Sequence, residues 1–475
     1  MTGKYDLVIV GGGISGASLL YTTAKFTDIE SIALIEKESE IAAINSHHTN
    51  NSQTLHFGDI ETNYTLEKAE EVKEGAELLA GYLEQYDDDR EMHAKRSKMV
   101  LGVGEDEVDE LEQRYDEEGF GDLFPKLRPI EREEIGEIEP KVVEERDPDE
   151  EMIALQTPDG YVVDYGETTK SFVEQAQKEA NVDVYTGTEV SDITPTLDGY
   201  TIATDAGRFD CDATVVAAGS HSLQMAKELG YGEDKALLPV AGSFFLADDL
   251  LNGKVYTLQM KKLPFAAVHG DADVHDPGVT RFGPTAKLVP ALERGRISTV
   301  PDFLDVFGLN VASFLSYANI LADRTLLPYV LKNLLYDLPE VGTRQFLPNV
   351  QKVVPSVELD DIERAKGYGG VRPQIVDTSE KSLDMGEAKI IGDDVIFNIT
   401  PSPGASTCLK NAMRDTHTLL EFFDNEYEFD EDAFRADTIE NFPRAEAEAE
   451  ATEAVESPSA SDVTATAGDA ATGDD

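Results

Sequence analysis

The sequence predicts an α/β fold: a three-layer, Rossmann-like domain interleaved with an α+β domain built on a mostly antiparallel sheet. Three observations predict it. First, Asp6–Val10 is a short apolar run rich in β-formers that stops at Gly11-Gly12-Gly13, and Gly11, Gly13 and Gly16 spell G-x-G-x-x-G. Second, a helical apolar pattern follows from Ile14 to about Phe26, and a second apolar run, Ile32–Ile35, ends on Glu36. Third, the pattern returns far downstream. Ala213–Gly219 reads as a buried strand ending in small residues, and Val395–Ile399 meets Ser402-Pro403-Gly404-Ala405-Ser406 and a further helix. Strand–turn–helix returns this widely separated imply one sheet assembled from distant segments.

Each residue of the first turn has a reason. Gly11 permits the tight turn. Gly13 lets the backbone approach a pyrophosphate that a Cβ would block, and Gly16 lets the helix pack on the strands. Ile14 and Ser15 open a helix whose free N–H groups and positive dipole end suit phosphate. Glu36, followed by Lys37, lies 20 residues beyond Gly16, where a carboxylate accepts ribose hydroxyls. This fingerprint alone does not choose between FAD and NAD(P). Ala218 and Gly219 add a second backbone approach, and Val190, opening a further strand, is assigned to the same site. Gly404, Ala405, Ser406 and Thr407 form a late helix N-terminus, suited to the negative charge that a reduced flavin carries at its C2 carbonyl end. Each junction also reads as an ordinary tight turn; the three in this order favour FAD.

Composition narrows the function. Asp and Glu number 94 against 40 Lys and Arg, a net charge of −54. Such a chain repels nucleic acid, whose binding rests on cations meeting phosphates. The charge fits a protein of a halophile, working in concentrated salt, where the Debye length falls to about 3 Å at 1 M and self-repulsion is screened. A melting temperature that is the same in molar and millimolar KCl would refute that reading. Cys211 and Cys408 are the only cysteines. They point to a reducing compartment and exclude a Cys-rich metal site or an iron–sulfur cluster, so no metal is expected. Neither a signal peptide nor an 18-residue apolar span is expected. The expected location is cytoplasmic, with apolar helices between Val300 and Leu338 as a candidate peripheral contact on the inner face of the cell membrane.

Along the chain, Leu66–Tyr86 reads as a helix, Lys98–Gly104 as a strand and Glu105–Tyr115 as an acidic helix. Arg128–Pro140 reads as a short helical piece, Met152–Val163 as a strand interrupted by a turn at Pro158-Asp159-Gly160, and Val240–Leu246 as one strand. The flavin-binding domain is expected from residues 1–95, 150–235 and 355–430, and the substrate domain from 96–149 and 236–354. Residues 444–475, with almost no large apolar side chain, read as a disordered acidic tail.

A resemblance carries the reading further. Asn50-Asn51-Ser52-Gln53-Thr54-Leu55-His56, followed by Glu61-Thr62-Asn63-Tyr64-Thr65, resembles the N-N-A-G-T-G-H…E-L-N-Y-T stretch of FAD-dependent malate:quinone oxidoreductases. Phe282-Gly283-Pro284 and Ser402-Pro403-Gly404-Ala405-Ser406-Thr407 resemble two further segments of that family. Departures are Thr49 for a usual Trp, Gln53 and Leu55 for two glycines, and Gly370-Val371-Arg372-Pro373-Gln374, which looks more like the glycine/D-amino-acid-oxidase group that includes 2-hydroxyglutarate dehydrogenases. The resemblance implies FAD as cofactor, with Asn50, Asn51 and Ser52 beside it. It implies oxidation of malate or a related 2-hydroxy acid, hydride going from C2 to the flavin while a base takes the hydroxyl proton, and a quinone as electron acceptor. An amino-acid or amine oxidase of the same fold and a non-catalytic flavin subunit are the alternatives. His56 is the first candidate base and His269 the second; a structural histidine fits the sequence as well. His47 and His48 read as loop residues. Arg372 is the candidate for the substrate carboxylate, because a guanidinium fork binds it bidentately, with an ordinary surface ion pair as its competitor. Arg281 and Lys287 are candidates for a second carboxylate.

Overall fold

The computed structural model describes residues 2–87, 91–179, 181–259, 267–307, 326–336, 338, 341–380, 382–383, 388–399 and 403–442. Ser402 of the late glycine turn, part of the Val300–Leu338 region and the acidic tail lie outside the described residues.

The first sheet runs Ala388–Gly392, Val395–Ile399, Gly207–Val216, Thr2–Val10, Ile32–Ile35, Val182–Tyr185, all parallel from the second strand onward. Leu7 to Val10 and Ile32 to Ile35 are buried throughout, as expected of parallel strands covered on both faces. One cover is the meander Val190–Pro195, Tyr200–Thr204 and the first half of Gly207–Val216. The other is the helix Ile14–Phe26, packed between the helices Tyr165–Ala176 and Cys408–Phe422. That first helix is buried almost all round. Its inward hydroxyls are satisfied locally, Thr22 donating to the Ser18 carbonyl and Thr23 to that of Leu19, both at 2.8 Å.

Register makes the site. Val10 pairs with Ile35 on one side and Val216 on the other, and Val216 with Phe397. Gly11–Gly13, Glu36–Lys37 and Ala217–Gly219 therefore leave the sheet side by side at its carboxyl edge, where open α/β sheets bind ligands.

The second sheet, also eight-stranded, is antiparallel except where Lys254–Thr257 meets His93–Val103. Met152–Val163, placed by the sequence reading in the flavin segments, pairs along His93–Val103 and so belongs to this sheet. Pro158–Gly160 does not turn the chain; a bulge between Arg96 and Lys98 absorbs it. Arg128–Glu131 is a strand on the far edge, followed by the helix Arg132–Ile138. The single strand expected over Val240–Leu246 is two. Lys235–Ala241 pairs with Val371–Asp377 in a four-stranded antiparallel sheet, and Phe245–Asp248 pairs with Val279–Gly283 in the second sheet. The chain crosses between the sheets at Gly242-Ser243, where the two backbone N–H groups go to Gly370 O and Thr285 Oγ1.

Candidate active site

A cleft of about 410 Å³ opens along the carboxyl edge of the first sheet. Gly11, Gly13, Ile14, Ser15, Glu36, Lys37, Asn50, Asn51, Ser52, His56, Val190, Ala218, Gly219, Arg372, Gly404, Ala405 and Ser406 all line it. Gly16, Thr407 and His269 do not.

The glycine turn is shaped as its residues require. Gly11 has φ +113°, and a Cβ there would meet the Ala217 carbonyl oxygen at 2.4 Å. At Gly16 a Cβ would lie 2.0 Å from Gly11 O, so this glycine serves packing. A Cβ on Gly13 would touch only Ser46 Oγ, at 3.5 Å, and otherwise stand in the cleft. Ile14 N donates to Ser46 Oγ, and Gly13, the N-cap, offers no side chain to the other first-turn N–H groups. This is a cradle open to phosphate oxygens. Glu36 braces the turn, accepting from Gly12 N at 2.6 Å and Glu38 N at 2.7 Å. Burial raises its pKa, and those two N–H groups pull the other way.

Lys37 is held by Glu293, which also takes His221 Nε2 at 2.9 Å and Arg296 Nη1 at 3.1 Å. Burial pushes the Glu293 carboxyl up, but its bonds from His221 and Lys37 outweigh that and bring it down to about 2. The folded pKa is thus below the unfolded value of 4.5, so this contact stabilises above 4.5 and the contribution is lost as pH falls towards 2. Glu293→Gln is expected to lower the melting temperature at neutral pH, with the gap to the parent narrowing below about pH 4.5; a gap independent of pH would contradict the pairing.

The loop after the second strand is built by its paired asparagines. Asn50 Nδ2 donates to Ile44 O at 2.7 Å, and Asn51 Nδ2 reaches the carbonyls of Asn45, Ser46 and His47 while its Oδ1 takes Gln53 N. Both side chains brace the loop, and what they present to the cleft is the loop's shape. Asn45 clamps Val371 through both backbone groups and so fixes Arg372. Ser406 Oγ accepts His56 N at 2.9 Å, and Tyr165 bonds both Thr54 O and Ser406. The late helix junction and the His56 loop are therefore one unit. Thr407 turns inward instead, packing on Gly75.

His56, the first candidate base, lines the cleft and is paired on its inner side. Its Nδ1 lies 2.5 Å from Glu61 Oε1, and its Nε2 is 3.4 Å from Ser52 Oγ on the cleft side. Burial would raise the Glu61 carboxyl, but His56 outweighs it and the net shift is downward. An ionised Glu61 holds the imidazole with its proton on Nδ1, which leaves Nε2 an acceptor facing Ser52 Oγ and the cleft. Sequence reading missed Glu61 as a site residue, although it stands five positions beyond His56 inside the quoted motif. His269 is displaced from the role considered for it. It lies behind the cleft, stacked on Tyr256 at 4.3 Å and facing Asp271, and burial lowers its pKa to about 4. Arg281 is fully buried against Asp271, with Lys254 3.3 Å from the same carboxylate; neither Arg281 nor Lys287 lines the cleft.

Arg372 is the opposite case. It lines the cleft, burial lowers its pKa, and it has no carboxylate or hydrogen-bond partner among the described residues. A half-buried guanidinium on a cleft, with no carboxylate beside it among the described residues, has the chemistry to pair with an anion.

Fold and cleft together define an FAD-dependent oxidoreductase: the family model of that description, DAO, matches residues 6–405, and the cofactor is FAD. A reduced L-α-glycerophosphate oxidase from Mycoplasma pneumoniae with FAD bound shares the fold, at a TM-score of 0.62 and 16% identity over 88% of this chain and 94% of that one. Within this class the chain belongs to the malate:quinone oxidoreductase family. It is 41% identical to a probable malate:quinone oxidoreductase of Campylobacter jejuni, over 92% of this chain and 99% of that protein. It is 38% identical to the malate:quinone oxidoreductase of Helicobacter pylori, over 90% and 97%.

Proposed function

We propose that the protein oxidises (S)-malate, or a closely related 2-hydroxy acid, to the 2-oxo acid and passes the electrons to a quinone. The observation that carries this reading is Arg372, which has no carboxylate partner among the described residues, on the same cleft as the His56–Glu61 pair. When bound, FAD supplies the hydride acceptor. Gly11–Ser15, Ala218 and Gly219 would hold its phosphates and ribose, with Gly404–Ser406 at the ring end. Arg372 binds the carboxylate next to the carbinol. His56 Nε2 takes the hydroxyl proton, and Glu61 steadies the imidazolium that results. Malate-dependent reduction of a soluble quinone analogue tests the assignment; malate-dependent hydrogen peroxide with no quinone reduction would favour an oxidase.

The acceptor bears on location. No helix among the described residues is long and apolar enough to cross a membrane. The helix Leu326–Tyr336 exposes Leu327, Leu331 and Leu334, spaced to share one face, and Leu338 and Val341 extend the patch. We assign this face to peripheral contact with the membrane that holds the quinone. A net charge of −54 opposes electrostatic docking to anionic lipid, so the contact is apolar. Leu331→Glu with Leu334→Glu is expected to abolish flotation with neutral vesicles while the yellow flavin stays bound; unchanged flotation would remove the face from the contact.

A further inference from the structure

We propose that His48, Asp164 and His275 form a binding site for a zinc-type divalent cation, which ties the loop leading to His56 to the second sheet. The three come from separate parts of the chain. His48 lies in the loop braced by the paired asparagines. Asp164 caps the helix Tyr165–Ala176, and His275 sits in the turn between the strands His269–Ala272 and Val279–Gly283. Their ligand atoms lie within 4.8 Å of one another. None of the three lines the catalytic cleft.

The carboxylate is prepared for a cation. Asp164 Oδ1 is occupied by the N–H groups of Gly166 and Glu167, at 2.7 and 3.0 Å. Its Oδ2 is left facing both imidazoles, 2.5 Å from His275 Nε2 and 3.7 Å from His48 Nδ1. A hydrogen bond explains the His275 contact and leaves His48 unexplained. That ring makes no hydrogen bond among the described residues, yet it is stacked on His47 at 4.4 Å and points a nitrogen at a carboxylate whose side chain is only 2% exposed.

Geometry and ligand type select the ion. Metal–ligand bonds of about 2.0–2.1 Å in a tetrahedral site space the ligand atoms about 3.3 Å apart. The two separations from the Asp164 carboxylate, 2.5 and 3.7 Å, straddle that value, and all three ligand atoms lie within 4.8 Å of one another, so modest rotations of the two rings bring the set towards it. Two imidazoles and one carboxylate suit zinc and its neighbours, whereas magnesium and calcium prefer all-oxygen sites. His275, with its side chain 43% exposed, leaves the fourth position to water.

The test uses full-length, tag-free holoprotein stripped with chelator and titrated with Zn²⁺ by equilibrium dialysis, with melting temperature followed in parallel. One tightly bound Zn²⁺ per chain and a rise in melting temperature are expected. His48→Ala and His275→Ala should each weaken binding by at least about tenfold and remove the rise while retaining yellow flavin. His417→Ala, at the distant contact with Glu431, should bind as the parent does. If one of the two ligand variants loses its flavin, the other still decides. Absence of stoichiometric Zn²⁺ from the parent, or unchanged affinity in a folded ligand variant, would overturn the site.

Discussion

Arg372→Ala is expected to cut kcat/KM for the hydroxy acid by about 30- to 4,000-fold, mostly through KM, with the flavin retained; this corresponds to the roughly 2–5 kcal/mol lost when one partner of a buried charged pair is truncated. Other cations in the interior are paired: Arg281 with Asp271 at 2.7 Å, Lys98 with Asp59 at 2.8 Å. Arg372 has no such partner among the described residues, and burial disfavours its charge. On the proposed reading, a substrate carboxylate supplies the partner that Arg372 lacks among the described residues. A second consequence separates this from a structural role. Arg372→Leu should melt no lower than the parent, because removing a half-buried charge without a carboxylate partner costs little electrostatically. Arg372→Lys should recover only part of the affinity, since an ammonium cannot offer the two parallel N–H donors. An unchanged KM in Arg372→Ala with yellow flavin would take the residue out of the site.

His56→Asn is expected to slow anaerobic flavin reduction by about 10²–10⁴-fold, the range for loss of a positioned general base, with little change in flavin affinity. Glu61→Gln should slow the same step about tenfold or more, because a carboxamide can present an N–H to Nδ1 and reverse the tautomer. The readout is stopped-flow loss of flavin absorbance. A His56→Asn enzyme reduced as fast as the parent would make the dyad a purely structural brace between the loop and the interior.

Much of the flavin-binding frame was legible in the sequence because its requirements are local. A glycine at φ +113° against a carbonyl, or a helix that starts after only three residues beyond a strand, leaves its mark within a few positions. Burial and distant pairing leave no such mark. Nothing in Val268-His269-Gly270-Asp271 tells that His269 lies under Tyr256 instead of at the cleft. Pro158-Asp159-Gly160 has turn composition, yet the strand continues because Pro158 and Asp159 bulge opposite the single residue Ser97. The paired asparagines were recognised as a motif, but their amides serve the loop carbonyls, which only the folded loop reveals. Glu61, Tyr165 and Asn45 act through partners brought to them by the fold, Asn45 and Tyr165 across more than 200 residues. Glu61 alone lay within reach of sequence reasoning, as an acid just beyond the candidate base.

The most direct test of the central claim is anaerobic titration of the purified protein's flavin absorbance with (S)-malate, 2-hydroxyglutarate and a panel of amino acids, followed by a quinone. The account predicts that (S)-malate bleaches the flavin and that the quinone restores it. Bleaching by an amino acid alone, or by no hydroxy acid, would contradict it.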